Sequence, residues 1–281
     1  MITKMNDQQS PAPSNNPNFV DSLLHPQAML IRQLLTRPGR IELSRILIDD
    51  EENILQAVDS GVEIESVYYA GDEIVSDDLK KKLAPTVNIH EVARRTTKKI
   101  FENDKLTRIF AIAKTPKPLG LESITKIQRD IVVLEDVSIS GNIGAITRTS
   151  LALGVGGMIL LNTEHVDIYD RRLIRASRGY VFVLPVIATT TDAFIKFAKQ
   201  NNLQVLVTNA HAEKLVQDIA SIPQQLMIVF GSEKDGCSQA ITDASTLQVR
   251  IPLDPRVESL NVSAAAGITL YSRVGFNQAK K

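Results

Sequence analysis

Asp130-Ile131-Val132-Val133-Leu134-Glu135-Asp136 is the stretch on which the architecture turns. Its four apolar residues run without polar alternation, the pattern of a strand buried on both faces rather than one half-exposed to water. The runs at 158–161, 205–207 and 226–230 repeat that texture. Helical patterns separate them near 143–153, 168–177, 191–200 and from 259 onward. Strands alternating with helices predict an α/β domain on a parallel sheet over residues 130–281. In such a sheet ligands settle outside the carboxyl ends of the strands, so the polar segments just after each run become the candidate site.

Upstream, a smaller α/β unit is expected over residues 41–116. Strand-like segments at 46–48, 67–70, 87–89 and 109–113 enclose helical ones at 52–60 and 79–83, with Gly61 placed as a helix C-cap. Residues 117–129 read as a linker that follows Thr115-Pro116. Residues 1–40 read as an N-terminal extension, partly disordered: positions 6–18 are polar and proline-rich, and 19–35 suit one or two short helices. Thr36-Arg37-Pro38-Gly39-Arg40 is expected to break that pattern.

The 281 residues suit about two domains, and 43% hydrophobic content supplies a core and excludes a wholly disordered chain. A single cysteine, Cys237, excludes an intrachain disulfide and a cysteine-rich zinc site, and no metal site is expected. The opening Met-Ile-Thr-Lys-Met-Asn leads into no apolar signal region, which predicts a cytoplasmic protein without a membrane span.

Two glycine-rich loops invite wrong answers. Gly154-Val155-Gly156-Gly157 begins like a dinucleotide fingerprint, but Ile159 fills the slot of the third glycine and the loop precedes a strand. Gly231-Ser232-Glu233-Lys234-Asp235-Gly236-Cys237-Ser238 has P-loop spacing, but Cys237 replaces the phosphate-binding lysine and two carboxylates lie inside the loop. Even with Glu135-Asp136 resembling a magnesium-site acid, a triphosphate is disfavoured.

Three segments at strand ends belong together. They are Ser140-Gly141-Asn142-Ile143-Gly144-Ala145-Ile146-Thr147-Arg148-Thr149-Ser150, Val229-Phe230-Gly231-Ser232-Glu233-Lys234-Asp235-Gly236, and Ile251-Pro252-Leu253 leading to Glu258-Ser259-Leu260-Asn261-Val262-Ser263. In order and spacing they resemble the three motifs of the SpoU (TrmH-like) family of RNA ribose 2′-O-methyltransferases, within the SPOUT superfamily. The likeness is nearest to the thiostrepton- and nosiheptide-resistance branch, through Asp170 to Val186 and through the first domain from about residue 41 to 275.

That resemblance implies a C-terminal domain with a deep trefoil knot, preceded by a small ribosomal-protein-like RNA-binding domain, in a homodimer that uses S-adenosyl-L-methionine. It implies methylation of large-subunit (23S) ribosomal RNA, at an adenosine in the thiopeptide-binding loop, conferring antibiotic resistance. Another ribosomal site, transfer RNA, or a non-catalytic RNA-binding protein are the alternatives. By motif match, catalytic roles fall to Asn142, Arg148, Glu233, Ser259 and Asn261. Because a guanidinium stays protonated, Arg148 suits gripping phosphate and orienting the hydroxyl better than taking its proton. The cofactor would lie on Gly231, Ile251, Pro252, Leu253, Leu260 and Asn261, with Thr208 and Asn209 as a further edge and Arg178 reaching across the dimer.

The net charge of zero, 32 basic against 32 acidic residues, hides an uneven distribution. Residues 91–117 carry eight basic and three acidic side chains, whereas acids gather at 49–52 and 72–78. Arg94, Arg95, Lys98 and Lys99 are therefore expected to track RNA phosphates. Arg171, Arg175 and Arg178 share one predicted helix face with no acid between them, so Arg171 and Arg175 are expected to do the same.

Overall fold

The computed structural model describes residues 18–163, 166–232 and 234–278, with side chains described to residue 274. The first unit is a five-stranded mixed sheet of β1 (Phe19–Val20), β2 (Arg45–Asp49), β3 (Ile64–Ala70), β4 (Asn88–Val92) and β5 (Ile109–Lys114), in the order β1-β4-β3-β5-β2. β5 runs antiparallel to both β2 and β3, while β1, β4 and β3 are mutually parallel. Strand alternation sends Leu47, Tyr68, Phe110 and Ile112 to one face, under the helix Pro26–Leu34. Ile46, Ile48, Val67, Ala111 and Ala113 point to the other, and the apolar cluster there continues into the second unit. The helix Glu51–Asp59 closes with Gly61 at φ +79°, its N–H bonded to the Val58 carbonyl, as a left-handed terminator should.

The first unit starts earlier than residue 41. β1 pairs with β4, and Ala28, Ile31 and Leu34 are fully buried against the sheet. The segment expected to break the helical pattern instead opens a second helix, Arg37–Leu43, with Thr36 accepting from the Gly39 N–H. Pro38 lies in its first turn, where a missing N–H costs nothing. The remaining part of the extension, residues 1–17, lies outside the described residues. The linker is docked rather than free: a 3-10 helix, Leu121–Lys126, buries Ile124 in the second unit.

The second unit is a seven-stranded, wholly parallel sheet of β6 (Ile131–Glu135), β7 (Gly157–Leu161), β8 (Val186–Thr189), β9 (Gln204–Thr208), β10 (Lys214–Leu215), β11 (Leu226–Phe230) and β12 (Leu247–Arg250). Its order is β10-β12-β9-β11-β6-β7-β8. Val132, Leu134, Met158, Leu160, Ile228 and Phe230 pack on one face, in a cluster that includes Ile143 and Ile146 of the helix Ser140–Ala152. Val133, Ile159, Leu161, Val207 and Val229 pack on the other, with Phe194 of the helix Thr191–Gln200 and Ile241 of Gln239–Ala244. Burial on both faces is the reason those runs lack alternation. The last helix, Val262–Gln278, lies against Ser140–Ala152. Among the described residues, no helix is long and apolar enough to cross a membrane.

Candidate active site

The chain leaves β6 for β7 and β8 on one side and later returns to place β11 and β9 on the other. A crevice therefore opens at the carboxyl ends of β9, β11 and β12. A cavity of about 550 Å³ lies there, walled by Val207, Phe230, Ile251, Leu253 and Leu260, with Thr208, Asn209, Gly231 and Ser259 also on its lining. Apolar walls with a few polar groups, in a volume of a few hundred cubic ångströms, suit an organic molecule the size of a nucleoside cofactor.

Each edge of the cavity is held by its own local bonds. Thr208 Oγ1 donates to the Val229 carbonyl at 3.4 Å. Asn209 Nδ2 donates to Gln248 Oε1 at 3.0 Å, tying the end of β9 to β12. After β11 the loop folds back on itself: Ser232 N–H donates to the Gly236 carbonyl at 3.1 Å, and Gly236 N–H to the Ser232 carbonyl at 3.0 Å. Gly231 has no room for a side chain, since a Cβ there would stand 2.0 Å from the Gly236 carbonyl carbon. That close approach leaves backbone, not side chain, facing the cavity at this point. β12 ends at Arg250, before Pro252, whose missing N–H could not continue the ladder. Pro252 is exposed and does not line the cavity.

A second cavity of about 240 Å³ adjoins the first, sharing Ser232, Lys234, Asp235 and Val262 and adding Asp136 and Asn142. Here the first and third motifs meet: Asn261 Nδ2 donates to Asn142 Oδ1 at 3.2 Å. Asn261 Oδ1 accepts from the Ser263 N–H at 3.0 Å and so also caps the last helix. One side chain thus fixes a helix start and reaches the neighbouring motif.

The structure brings Asn142, Asn261, Ser259, Gly231, Thr208, Asn209, Ile251, Leu253 and Leu260 to one place. Glu233 lies outside the described residues. Arg148 is exposed, lines neither cavity, and sits six residues along its helix from Asn142, about 9 Å of rise. Arg178 is also outside both cavities of its own chain; its Nη1 stands 3.5 Å from Glu52 Oε1. Phe230 and Cys237, both inside the quoted segments, also wall the cavity, a role that sequence reading did not assign to them. Burial, helped by the charge of Glu135, pushes the Cys237 thiol up to about 12, so it is a wall and not a nucleophile.

The charge expectation needs the largest correction. Arg171 is 2% exposed, and its Nε donates to both oxygens of Asp49, at 2.8 and 2.9 Å. Its Nη1 reaches Asp104 at 3.0 Å, and its guanidinium lies 4.4 Å over the Phe101 ring. Arg175 bonds Asp49 and also Asp104, the latter at 3.3 Å. Both arginines clamp the second unit to the first and are not available to phosphate. Arg40 adds to the clamp, with Nε at 2.8 Å from Asp167 Oδ2 and Nη1 at 2.9 Å from the Leu34 carbonyl. The acids that balance Arg171 and Arg175 come from the other unit, whereas Arg172 pairs with Asp170 at the start of its own helix.

Pairs within the first unit neutralise half of the basic stretch. Arg94 pairs with Asp72, Lys105 with Asp50, Arg108 with Glu73 and Lys114 with Glu63. Arg95, Lys98 and Lys99 remain exposed and make no ion pair with a described residue. They are the part of the expected phosphate face that the fold leaves open.

Residues 130–271 match the family model described as the SpoU rRNA Methylase family, half of the chain. The chain belongs to that family. Residues 17–127 of this SpoU methylase match the model described as Thiostrepton-resistance methylase, N terminus. It is 35% identical to a 23S rRNA (adenosine(1067)-2′-O)-methyltransferase of Streptomyces azureus, covering 92% of this chain and 98% of the relative. It is 35% identical to an enzyme of the same name from Streptomyces laurentii, over 86% of this chain and 90% of that one. The crystal structure of AdoMet-bound rRNA methyltransferase from Sinorhizobium meliloti superposes with a TM-score of 0.80 at 25% identity, covering 91% of this chain and 96% of that one.

Proposed function

We propose that this SpoU methylase transfers a methyl group from S-adenosyl-L-methionine to the 2′-hydroxyl of an adenosine in 23S ribosomal RNA. By the N-terminal family match, the target is the thiopeptide-binding loop and the consequence is thiostrepton-type resistance in the cytoplasm. The observation that carries the reading is the convergence of Asn142, the Gly231 loop, Ser259 and Leu260 on two adjoining cavities, with Asn261 bonded to Asn142. One cavity has the size and lining for the cofactor, which supplies the methyl group when bound. The other presents Asn142 where a ribose would enter.

The chain's own task is alignment. A ribose hydroxyl is a weak nucleophile, and holding it in line is worth more than any single charge. Asn142, steadied by Asn261, offers amide groups to the ribose. Arg148 stays cationic and serves by gripping an RNA phosphate, not by removing the proton. Arg95, Lys98 and Lys99 give the first unit its hold on the RNA backbone, with Arg94 shared between Asp72 and phosphate.

The reading includes the family's trefoil knot, a ribosomal-protein-like first domain, and a homodimer in which Arg178 meets the partner's cofactor. Exposed Ile268 and Tyr271 on the last helix, 40% and 68% accessible, and Ile139 beside Asn142, 56% accessible, support a covered face at the site.

The test is transfer of labelled methyl to a 23S RNA fragment containing the thiopeptide-binding loop, with transfer RNA in parallel, followed by mapping of the modified nucleotide. Label on a loop adenosine 2′-oxygen is expected. Arg148→Ala should lose transfer with its melting temperature unchanged. Label on transfer RNA alone, or none on either, would overturn the proposal.

A further inference from the structure

Glu135 ends β6 at 1% exposure, and no ion pair to a described residue offsets its charge. Taking a carboxylate out of water is costly unless hydrogen bonds replace the lost hydration. Three do so. Oε1 accepts from Ser238 Oγ at 2.7 Å and from Thr191 Oγ1 at 3.0 Å. Oε2 accepts from the Ser238 N–H at 2.8 Å. All three donors are neutral, and two belong to one residue 103 positions away.

Ser238 is where the Gly231 loop ends. It caps the helix Gln239–Ala244, with Oγ accepting from the Ile241 N–H at 3.3 Å. Between Gly231 and Ser238, Ser232 and Gly236 are joined by a backbone bridge. Beyond β11, Ser238 ties the loop back to the sheet through Glu135, beside Cys237, which packs in the apolar cluster there. The other arm of Glu135 is fixed as firmly: Thr191 also accepts from Asn162 Nδ2 at 2.9 Å, and its N–H donates to Asn162 Oδ1 at 3.2 Å. The carboxylate therefore joins the ends of β6 and β7 and the start of Thr191–Gln200 to the base of the loop that walls both cavities.

We propose that Glu135 is a positioning residue which holds the 231–238 loop in the shape that accepts the nucleoside cofactor. Glu135 lines neither cavity, so it acts through Ser238 and does not touch the reacting atoms. A neutral or apolar residue would fill the same space without the cost of a buried charge. The charge strengthens each of the three bonds roughly twofold over a neutral acceptor, which keeps a glycine-rich loop from opening. This inference rests on the cofactor reading above, and its test separates the two.

Cys237, the single cysteine, sits beside Ser238 on the cavity wall and reports on the loop. The experiment measures Cys237 modification by Ellman's reagent in the full chain, together with S-adenosylhomocysteine affinity by calorimetry. The variants are Glu135→Gln and Ser238→Ala; the second keeps the carboxylate and so isolates loop opening from any charge effect on the thiol. Both variants should modify about ten- to a hundredfold faster, the loss expected for hydrogen bonds to a charged group, and bind S-adenosylhomocysteine weaker by a similar factor. With saturating cofactor their kcat should stay within about twofold of the parent, because binding that is lost equally from ground and transition states raises KM alone. Ser238→Thr should restore slow modification by returning the hydroxyl. Unchanged thiol reactivity and affinity in a folded Ser238→Ala chain would overturn the proposal, as would a kcat loss at unchanged affinity. Failure of the parent chain to bind S-adenosylhomocysteine would instead refute the cofactor reading, while the thiol rates would still decide whether Glu135 holds the loop.

Discussion

Replacing Asp49 by asparagine should loosen the two units and leave RNA affinity alone. Asp49 is fully buried and receives both Arg171 and Arg175. Burial pushes its carboxyl up, and the two guanidiniums pull it back towards the charged form. Without that charge, two adjacent cations with side chains 3% and 15% exposed would face one remaining carboxylate, Asp104, which is itself 36% exposed. Removing one member of a buried ion pair costs about 3–5 kcal/mol because the partner stays buried and uncompensated. For a chain of this size each kcal/mol moves the midpoint by roughly 2–4 °C, so thermal unfolding followed by circular dichroism should show a fall of about 6–20 °C. Adding Arg175→Met to Asp49→Asn should recover part of that loss, since the two positions share one network. RNA titrations at several salt concentrations should give the parent's slope for Arg171→Met. A midpoint within about 2 °C of the parent, the range of an ordinary surface change, would refute the clamp. So would an Arg171→Met chain of normal stability with a flattened salt slope, which would return the arginine to the RNA face.

Gly231→Ala should abolish measurable S-adenosylhomocysteine binding in calorimetry, because the new methyl would meet the Gly236 carbonyl carbon at 2.0 Å and must displace the loop. Lys98→Glu with Lys99→Glu should weaken 23S fragment binding and lower the slope of log K against log salt by about two, roughly one for each phosphate no longer neutralised; Lys105→Glu, whose parent side chain already pairs with Asp50, should change it less. His90 is buried on β4, stacked 5.1 Å from Tyr68 of the adjoining β3, and burial lowers its pKa below the usual 6.5. An unfolded chain then takes up a proton that the native one refuses, so this contribution to stability is complete above about pH 6.5 and declines as pH falls towards the native value. The melting temperature should drop less between pH 7 and 5.5 in His90→Phe than in the parent; an identical drop would remove His90 from the account.

Much of the second unit is legible in local pattern. An apolar run such as 131–134 suits a parallel strand covered on both faces, and the sheet pairs those runs in parallel. β8 is not legible in the same way, because its four residues follow Pro185 and include an exposed alanine, too short a signal to stand out. The helix at Arg37–Leu43 runs against expectation for a related reason: Pro38 and Gly39 are breakers in mid-helix but are welcome in a first turn, and only the neighbours show which applies. At the site, Gly231 and Asn261 are legible through the family motifs, and the structure supplies the physical reasons, close backbone approach at Gly231 and a helix cap at Asn261. Glu135 is visible as an acid after a strand, but its partners Thr191 and Ser238 lie 56 and 103 positions away.

By itself the sequence determined most strands and helices of the second unit and which strand ends carry polar loops, while the grouping of the three motifs into one chemistry came from their resemblance to the SpoU family. The strands, helices and loop ends rest on periodicity and residue type, which act within a few positions. The tertiary structure alone decided the fate of the charges. Acids at 49–52 and 72–73 and bases at 94, 105, 108, 171, 175 and 178, distant in sequence, are drawn into pairs. Coulomb attraction depends on separation in space and on burial, and neither is written in the order of residues. The polarity read along the chain is therefore largely taken up in ion pairs, within the first unit for Arg94, Lys105 and Arg108 and between the units for Arg171, Arg175 and Arg178, and Arg95, Lys98 and Lys99 are left exposed without one among the described residues.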